Sequence, residues 1–153
     1  MTTLAIFASG RGSNAAAIIE RFTREEELCV GLIVTNSPKA GVLQLAEAHG
    51  IPAHVTNRRE FYSAQSLLPM LHEHKTDFIA LAGFLWLVPE VLLIAFPAKI
   101  INIHPALLPM YGGKGMYGQK VHEMVKAAGD RESGITIHYV DEQYGIARRR
   151  SVW

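Results

Sequence analysis

Short apolar runs alternate with amphipathic stretches along most of the chain. Residues 4–8 are continuously apolar, residues 9–14 are small or polar, and apolar residues then recur at helical spacing up to Phe22. Further strands are predicted at 30–34, 52–55, 78–82, 99–103 and 135–139, the one at 52–55 being a short edge strand. Further helices are predicted at 42–46, 61–71, 89–95 and 121–128. This order predicts one α/β domain with a doubly wound, mainly parallel sheet, in which ligands bind at the carboxyl ends of the strands.

Composition and charge narrow the classes of function. The chain of 153 residues has a formal net charge of +1, which gives no broad cationic surface for nucleic acid or lipid headgroups. Its longest apolar stretch, 78–96, is interrupted by Gly83, Pro89 and Glu90, so we expect no membrane span, and the first residues do not resemble an export signal. The single cysteine, Cys29, favours a reducing compartment, and the cytoplasm is the expected location.

A glycine-rich turn between the first strand and helix is the first candidate site. The turn reads Gly10-Arg11-Gly12-Ser13-Asn14-Ala15, where backbone N–H groups and the helix dipole can hold a phosphate. A dinucleotide site would need an acidic residue after the second strand, and a Walker loop would need Gly-Lys-Ser/Thr; the sequence has neither at these positions. The alternative without a ligand is a tight turn in which Ser13 caps the helix.

The second candidate site is Asn102-Ile103-His104-Pro105, at the end of an apolar strand. Asn102 and His104 share one strand face because side chains alternate with a period of two. An amide donor beside an imidazole can stabilise an oxyanion while the imidazole moves a proton, as acyl transfer requires. The alternative is a histidine that packs at a strand end and bonds a backbone carbonyl.

Other segments carry weaker signals. The apolar segment 81–88 could receive a flat heterocycle, although core packing explains it equally well. His72 and His74 lie two residues apart near a helix end and point to different faces, and His138 is expected on the exposed side of the last strand in a structural role. With no His-Glu-x-x-His motif and no Cys/His cluster, we predict no metal site.

Taken in order, three motifs resemble the phosphoribosylglycinamide formyltransferase family: Gly12-Ser13-Asn14, the Leu81-Ala82-Gly83-Phe84 segment, and the Asn102-Ile103-His104-Pro105 segment with its continuation to Pro109. The resemblance covers about residues 2–144. It implies a formyltransferase fold and transfer of a formyl group from 10-formyltetrahydrofolate to the amine of glycinamide ribonucleotide, without a metal.

The resemblance also implies roles for individual residues. Gly12, Ser13 and Asn14 would bind the substrate phosphate. Asn102 and protonated His104 would stabilise the tetrahedral oxyanion, and His104 would deliver a proton to the departing folate nitrogen. Leu85, Trp86, Leu87 and Val88 would line the pocket for the pterin ring of the folate co-substrate, and Arg59 would match the family's folate-contacting arginine.

Two departures from the family pattern bear on activity. Gly145 occupies the position of the family's catalytic aspartate, and residues 145–153 resemble nothing in the family, so we expect a domain at 1–144 that lacks its last strand and helix. A truncation or frame change after Tyr144 would produce this tail and leave the chain nearly inactive or poorly folded. The alternatives are an inactive or binding-only module and a related formyltetrahydrofolate hydrolase; oligomeric state is left open.

Overall fold

The computed structural model describes residues 1–113, 116 and 119–141. Within these residues the chain forms strands and helices in alternation. The strands are β1 (Thr2–Phe7), β2 (Leu28–Thr35), β3 (Ala53–Val55), β4 (Phe78–Leu81), β5 (Ile100–His104) and β6 (Thr136–Tyr139). The helices are α1 (Ser13–Phe22), α2 (Val42–Ala48), α3 (Arg58–Ser63), α4 (Leu67–Glu73), α5 (Glu90–Ala95) and α6 (Gln119–Ala127).

The described strands form one sheet in the order β3-β2-β1-β4-β5-β6. Neighbours pair in parallel except β5 and β6, which are antiparallel. The predicted doubly wound, mainly parallel sheet is therefore confirmed. The short strand predicted at 52–55 lies at one edge of the sheet, as expected.

The two faces of the sheet carry separate apolar clusters because successive strand residues point to opposite sides. Ala5 and Phe7 of β1 pack on one face with side chains of α3, α4 and α5, and Leu4 and Ile6 pack on the other with α1 and α2. The molecule thus has three layers, with helices covering both faces of a buried parallel sheet.

The single helix predicted over 61–71 is wrong. The chain forms two helices, α3 and α4, separated at Ala64, whose φ of +51° is left-handed and whose N–H donates to the Glu60 carbonyl at 2.8 Å. The apolar stripe is nevertheless buried as predicted, since Phe61, Ala64, Leu67 and Leu71 are all fully buried. The spacing of apolar residues indicates which face is buried. It does not indicate whether the backbone stays helical from one apolar residue to the next.

Candidate active site

The three sequence motifs meet at the carboxyl ends of the central strands. β1 and β4 are adjacent, and the chain leaves β1 toward β2 and β3 and leaves β4 toward β5. The order of the strands therefore reverses between β1 and β4, and such a switch point opens a crevice at the carboxyl ends of the strands. The glycine-rich turn follows β1, the segment 82–88 follows β4, and Asn102 and His104 lie at the end of the neighbouring strand β5.

Gly12 shapes the glycine-rich turn. Its φ of +83° is left-handed, and a Cβ at this position would lie 3.0 Å from Cγ2 and 3.3 Å from Cα of Val42. Gly12 is also the cap residue of α1 and Ser13 is the first helical residue, so the alternative in which Ser13 caps the helix is wrong in that detail. Ser13 and Asn14 are exposed, and the N–H groups of a first helical turn have no partner within the helix. Within the described part of the chain these N–H groups have no hydrogen-bond acceptor, so the turn presents donors at its mouth, as a phosphate site requires.

A second glycine supports this turn from outside. A Cβ on Gly41 would lie 3.2 Å from the Cα of Arg11, and the N–H of Val42 donates to the carbonyl of Gly10 at 3.2 Å. The start of α2 is thus packed against the turn. Sequence reasoning missed Gly41, because it lies thirty residues along the chain in an unremarkable turn.

The turn after β1 is bonded to the segment after β4. The Ser9 Oγ accepts a hydrogen bond from the N–H of Leu85 at 3.0 Å, and the N–H of Ser9 donates to the Gly83 carbonyl at 3.2 Å. These two bonds fix one wall of the crevice against the other. Ser9 was not predicted to have this role.

Asn102 is paired across the sheet with His138. The two residues are directly opposite in the β5–β6 ladder, and Asn102 Nδ2 lies 3.1 Å from His138 Nε2. His138 Nδ1 lies 3.0 Å from the carbonyl of Tyr139, which can only accept, so Nδ1 carries the proton and Nε2 accepts from the amide. His138 therefore fixes Asn102 as a donor and leaves its second N–H for another acceptor. The predicted exposed position of His138 is wrong: the residue is half-buried, while Ile137 and Tyr139 are exposed.

His104 is buried, with 7% of its surface exposed, and its Nε2 lies 2.7 Å from the carbonyl of Tyr111. Because a carbonyl only accepts, Nε2 carries a proton. Burial lowers the pKa of His104 below its ordinary value; the Tyr111 carbonyl opposes this effect, and the nearby His138 adds to it. The neutral imidazole is thus favoured, with its lone pair on Nδ1.

The loop after β5 is anchored to β6 and α6. Thr136 Oγ1 donates to the Ala106 carbonyl at 2.7 Å and accepts from the N–H of Leu108 at 3.0 Å. The Tyr111 hydroxyl lies 2.5 Å from Asp130 Oδ2, and Ala106 packs on α6. These contacts hold the carbonyl that bonds His104.

The residues predicted to contact folate differ in how exposed their side chains are. Leu85 and Leu87 are exposed, whereas Trp86 and Val88 are half-buried and pack against the core. Arg59 is exposed on α3 and lines a shallow depression of about 320 Å³ together with Asn57, Glu60, Ser63, Gln65 and Ser66. Arg58, the neighbouring arginine, contacts this segment: its guanidinium carbon lies 5.3 Å from the centre of the Trp86 ring.

Some predictions concern residues that the structure does not describe. Residues 142–153 lie outside the described residues, so the replacement of the family aspartate by Gly145 and the boundary at 144 stay predictions. Within the described ranges, no group of three or more His, Cys, Asp or Glu side chains is placed to hold a metal ion. None of the helices described there has the length and hydropathy needed to cross a bilayer.

Comparison with known proteins identifies the family to which this chain belongs. The pattern of the family described as formyl transferase matches residues 2–145, and the chain belongs to this family. The phosphoribosylglycinamide formyltransferase of Bacillus subtilis is 40% identical over 147 residues, which cover 93% of this chain and 73% of that protein. The resemblance to phosphoribosylglycinamide formyltransferases inferred from the three motifs is therefore confirmed.

Two further relatives agree with this assignment. The chloroplastic phosphoribosylglycinamide formyltransferase of Arabidopsis thaliana is 42% identical, over 95% of this chain and 52% of that protein, so the chain spans about half the length of this relative. The crystal structure of glycinamide ribonucleotide transformylase 1 from Geobacillus kaustophilus is 37% identical and superimposes with a TM-score of 0.83, over 94% of this chain and 76% of that one. The fold described above is the fold of these enzymes.

Proposed function

We propose that this chain catalyses transfer of a formyl group from 10-formyltetrahydrofolate to the amine of glycinamide ribonucleotide, a reaction of purine synthesis. The observation that carries the proposal is the Asn102 amide, held as a donor by His138 at the carboxyl end of β5, two residues from the buried His104. An amide donor that is fixed before the reaction suits stabilisation of an oxyanion. The family membership and the names of the relatives agree with this chemistry.

The reaction follows from this arrangement. The substrate amine attacks the formyl carbon, and a C–N bond forms. The carbonyl oxygen becomes an oxyanion, which accepts a hydrogen bond from the second N–H of the Asn102 amide. Because His104 is favoured in its neutral form, its Nδ1 lone pair can take the proton released by the amine. Breaking of the bond to the folate nitrogen then requires a proton, which the same imidazole can return. In this mechanism His104 cycles between its neutral and protonated forms, whereas the resemblance implies a His104 that is protonated from the start.

Each substrate has a proposed place in the crevice. The phosphate of the ribonucleotide lies at Gly12, Ser13 and Asn14, where the first turn of α1 offers N–H groups. The folate lies along the segment after β4, against the exposed Leu85 and Leu87, with Arg59 at the outer end. Trp86 and Val88 act from behind this surface, where they pack against the core.

The proposed setting of the enzyme follows from its sequence. We place the formyltransferase domain at residues 1–144 and the enzyme in the cytoplasm, where its single Cys29 stays reduced.

Because Gly145 stands in place of the family aspartate, we expect slow turnover. Loss of the analogous carboxylate partner of a catalytic histidine lowers the rate about 10⁴-fold in serine proteases.

An acceptor assay tests the proposal. Purified chain is mixed with 10-formyltetrahydrofolate, and loss of the formyl group is followed with glycinamide ribonucleotide, with glycinamide lacking the ribose phosphate, or with water alone. We expect loss of formyl only with the ribonucleotide, and formylated ribonucleotide as the product. Equal loss of formyl with water alone would favour a hydrolase and contradict the proposal.

A further inference from the structure

The segment after β4 alternates between buried and exposed side chains. Phe84 is 9% exposed and Trp86 is half-buried, whereas Leu85 is 48% and Leu87 is 55% exposed. The chain bends at Trp86, and the indole packs against the core while the leucines on either side of it stay exposed. The contacts that hold the indole therefore also set the direction of the two leucines.

Trp86 is held mainly by α3. Its ring centre lies 5.5 Å from that of Phe61 at an interplanar angle of 61°, and 6.3 Å from that of Tyr62 at 27°. The guanidinium of Arg58 lies over the indole at 5.3 Å. Edge-to-face and stacked aromatic contacts and a cation over a ring are each attractive, so the indole has one strongly preferred position.

The helix that holds Trp86 is itself fixed to its surroundings. Glu60 Oε1 lies 2.9 Å from His54 Nε2 on β3 and accepts the Ser66 hydroxyl at 2.7 Å. Asn57 Oδ1 caps the helix by accepting the N–H of Glu60 at 3.0 Å. A short helix held at three points can act as a rigid support.

We propose that Trp86 is a positioning residue: clamped by Arg58 and Tyr62, it aims Leu85 and Leu87 at the apolar ring system of the folate co-substrate. Trp86 acts through the two leucines and does not itself contact the ligand. This inference rests on the proposed function. It also gives two adjacent arginines different roles: Arg58 supports Trp86, and Arg59 is exposed and available to bind the ligand.

Fluorescence provides a test of the clamp that does not depend on activity. Trp86 and Trp153 are the two tryptophans of the chain, so a Trp153→Phe background reports on Trp86 alone. In that background we expect Arg58→Ala and Tyr62→Ala to shift the emission to longer wavelength, as water reaches the indole. Lys99→Ala is the matched control, because Lys99 lies over Phe78, another aromatic ring, at 6.0 Å; it should leave the emission unchanged.

Binding of a stable 10-formyl dideazafolate analogue then tests the consequence. Arg58→Ala should weaken analogue binding about threefold and Trp86→Ala about tenfold or more, whereas Arg58→Lys and Trp86→Phe keep most of the affinity. Binding of glycinamide ribonucleotide should change less than twofold in all four variants. Unchanged emission in Arg58→Ala and Tyr62→Ala, unchanged analogue affinity in Trp86→Ala, or equal loss of both ligands would overturn the proposal.

Binding of the analogue distinguishes a failure of the proposed function from a failure of the positioning role of Trp86. If the unsubstituted chain fails to bind the analogue, the proposed function is overturned and the role of Trp86 with it. If the unsubstituted chain binds the analogue but the Arg58 and Trp86 variants bind it equally well, only the positioning role is overturned.

Discussion

Replacing Gly12 with alanine should disturb both the stability of the fold and the proposed phosphate site. Gly12 has a φ of +83°, and the added Cβ would meet Val42 at 3.0 Å from Cγ2, 3.1 Å from Cβ and 3.3 Å from Cα. Val42 is fully buried and lies at the start of α2, so it cannot move aside without displacing its neighbours. The strain of the backbone and the crowding of the side chain therefore act together.

The expected loss of stability follows from these two costs. A left-handed conformation costs a non-glycine residue about 1 kcal/mol. Forcing a methyl group into a well-packed contact costs about 1 to 3 kcal/mol. Gly12→Ala should therefore lower the free energy of unfolding by about 2 to 4 kcal/mol, a large part of the stability of an ordinary domain.

Urea denaturation of matched variants measures this loss. Gly10→Ala, two residues away, is the control: a Cβ there meets nothing within 4 Å, so the change should stay within about 0.5 kcal/mol. The cost of Gly12→Ala should also fall by about 1 kcal/mol in a Val42→Ala background, which removes the nearest contact. Affinity for glycinamide ribonucleotide should fall more than affinity for a folate analogue. A Gly12→Ala variant as stable as Gly10→Ala would refute the packing argument.

Two further predictions concern the loop after β5 and the segment after β4, and a third concerns pH. Thr136→Val removes both bonds that join β6 to the loop and should cost about 1 to 3 kcal/mol in urea denaturation, whereas Thr136→Ser should keep most of the stability. Leu87→Asp should abolish binding of a folate analogue in calorimetric titration and spare binding of the ribonucleotide. Because burial holds the pKa of folded His104 below its ordinary 6.5, the unfolded chain binds that proton more readily; stability is complete above pH 6.5 and falls as the pH drops toward the folded pKa. His104→Gln should therefore flatten the pH dependence of unfolding below about pH 6.5.

Each of these has an outcome that contradicts it. Equal stability of the Thr136 variants would mean that the two hydrogen bonds contribute nothing net. Loss of both ligands in Leu87→Asp would point to a fault in the fold. An unfolding free energy whose pH dependence is the same with histidine or glutamine at position 104 would show that this imidazole titrates normally.

Local pattern was sufficient to predict the strands, most of the helices and the face shared by Asn102 and His104. A strand period of two places both side chains on one side of β5, and the structure has them there, at the end of the strand. The edge position of β3 also followed from a short strand after Pro52.

What the sequence could not provide was information on residues distant in the chain. The pairing of Asn102 with His138 depends on the register between β5 and β6, which are separated by α6 and two loops. A polar residue between Ile137 and Tyr139 was expected on the exposed side, because apolar residues usually face inward. Here the two apolar side chains are exposed, and the histidine faces the site. The bond from Leu85 to Ser9 likewise spans 76 residues.

The break between α3 and α4 was hidden for a different reason. Phe61, Ala64, Leu67 and Leu71 keep helical spacing and are all buried, yet Ala64 adopts a left-handed conformation that alanine seldom takes. Glu60 accepts a hydrogen bond from the Ser66 hydroxyl across this break at 2.7 Å, so a polar contact between residues six apart favours two helices over one, and apolar spacing carries no sign of it.

Formyl transfer by the chain and by Asn102→Ala, followed under single-turnover conditions, tests the central claim most directly. With enzyme in excess and an isotopically labelled formyl group, even a slow reaction is visible, and the label can be traced to its acceptor. We predict label on the amine of glycinamide ribonucleotide, with a rate that falls about 10²- to 10³-fold when the Asn102 donor is removed. Label released only as formate, or the same rate in both proteins, would contradict it.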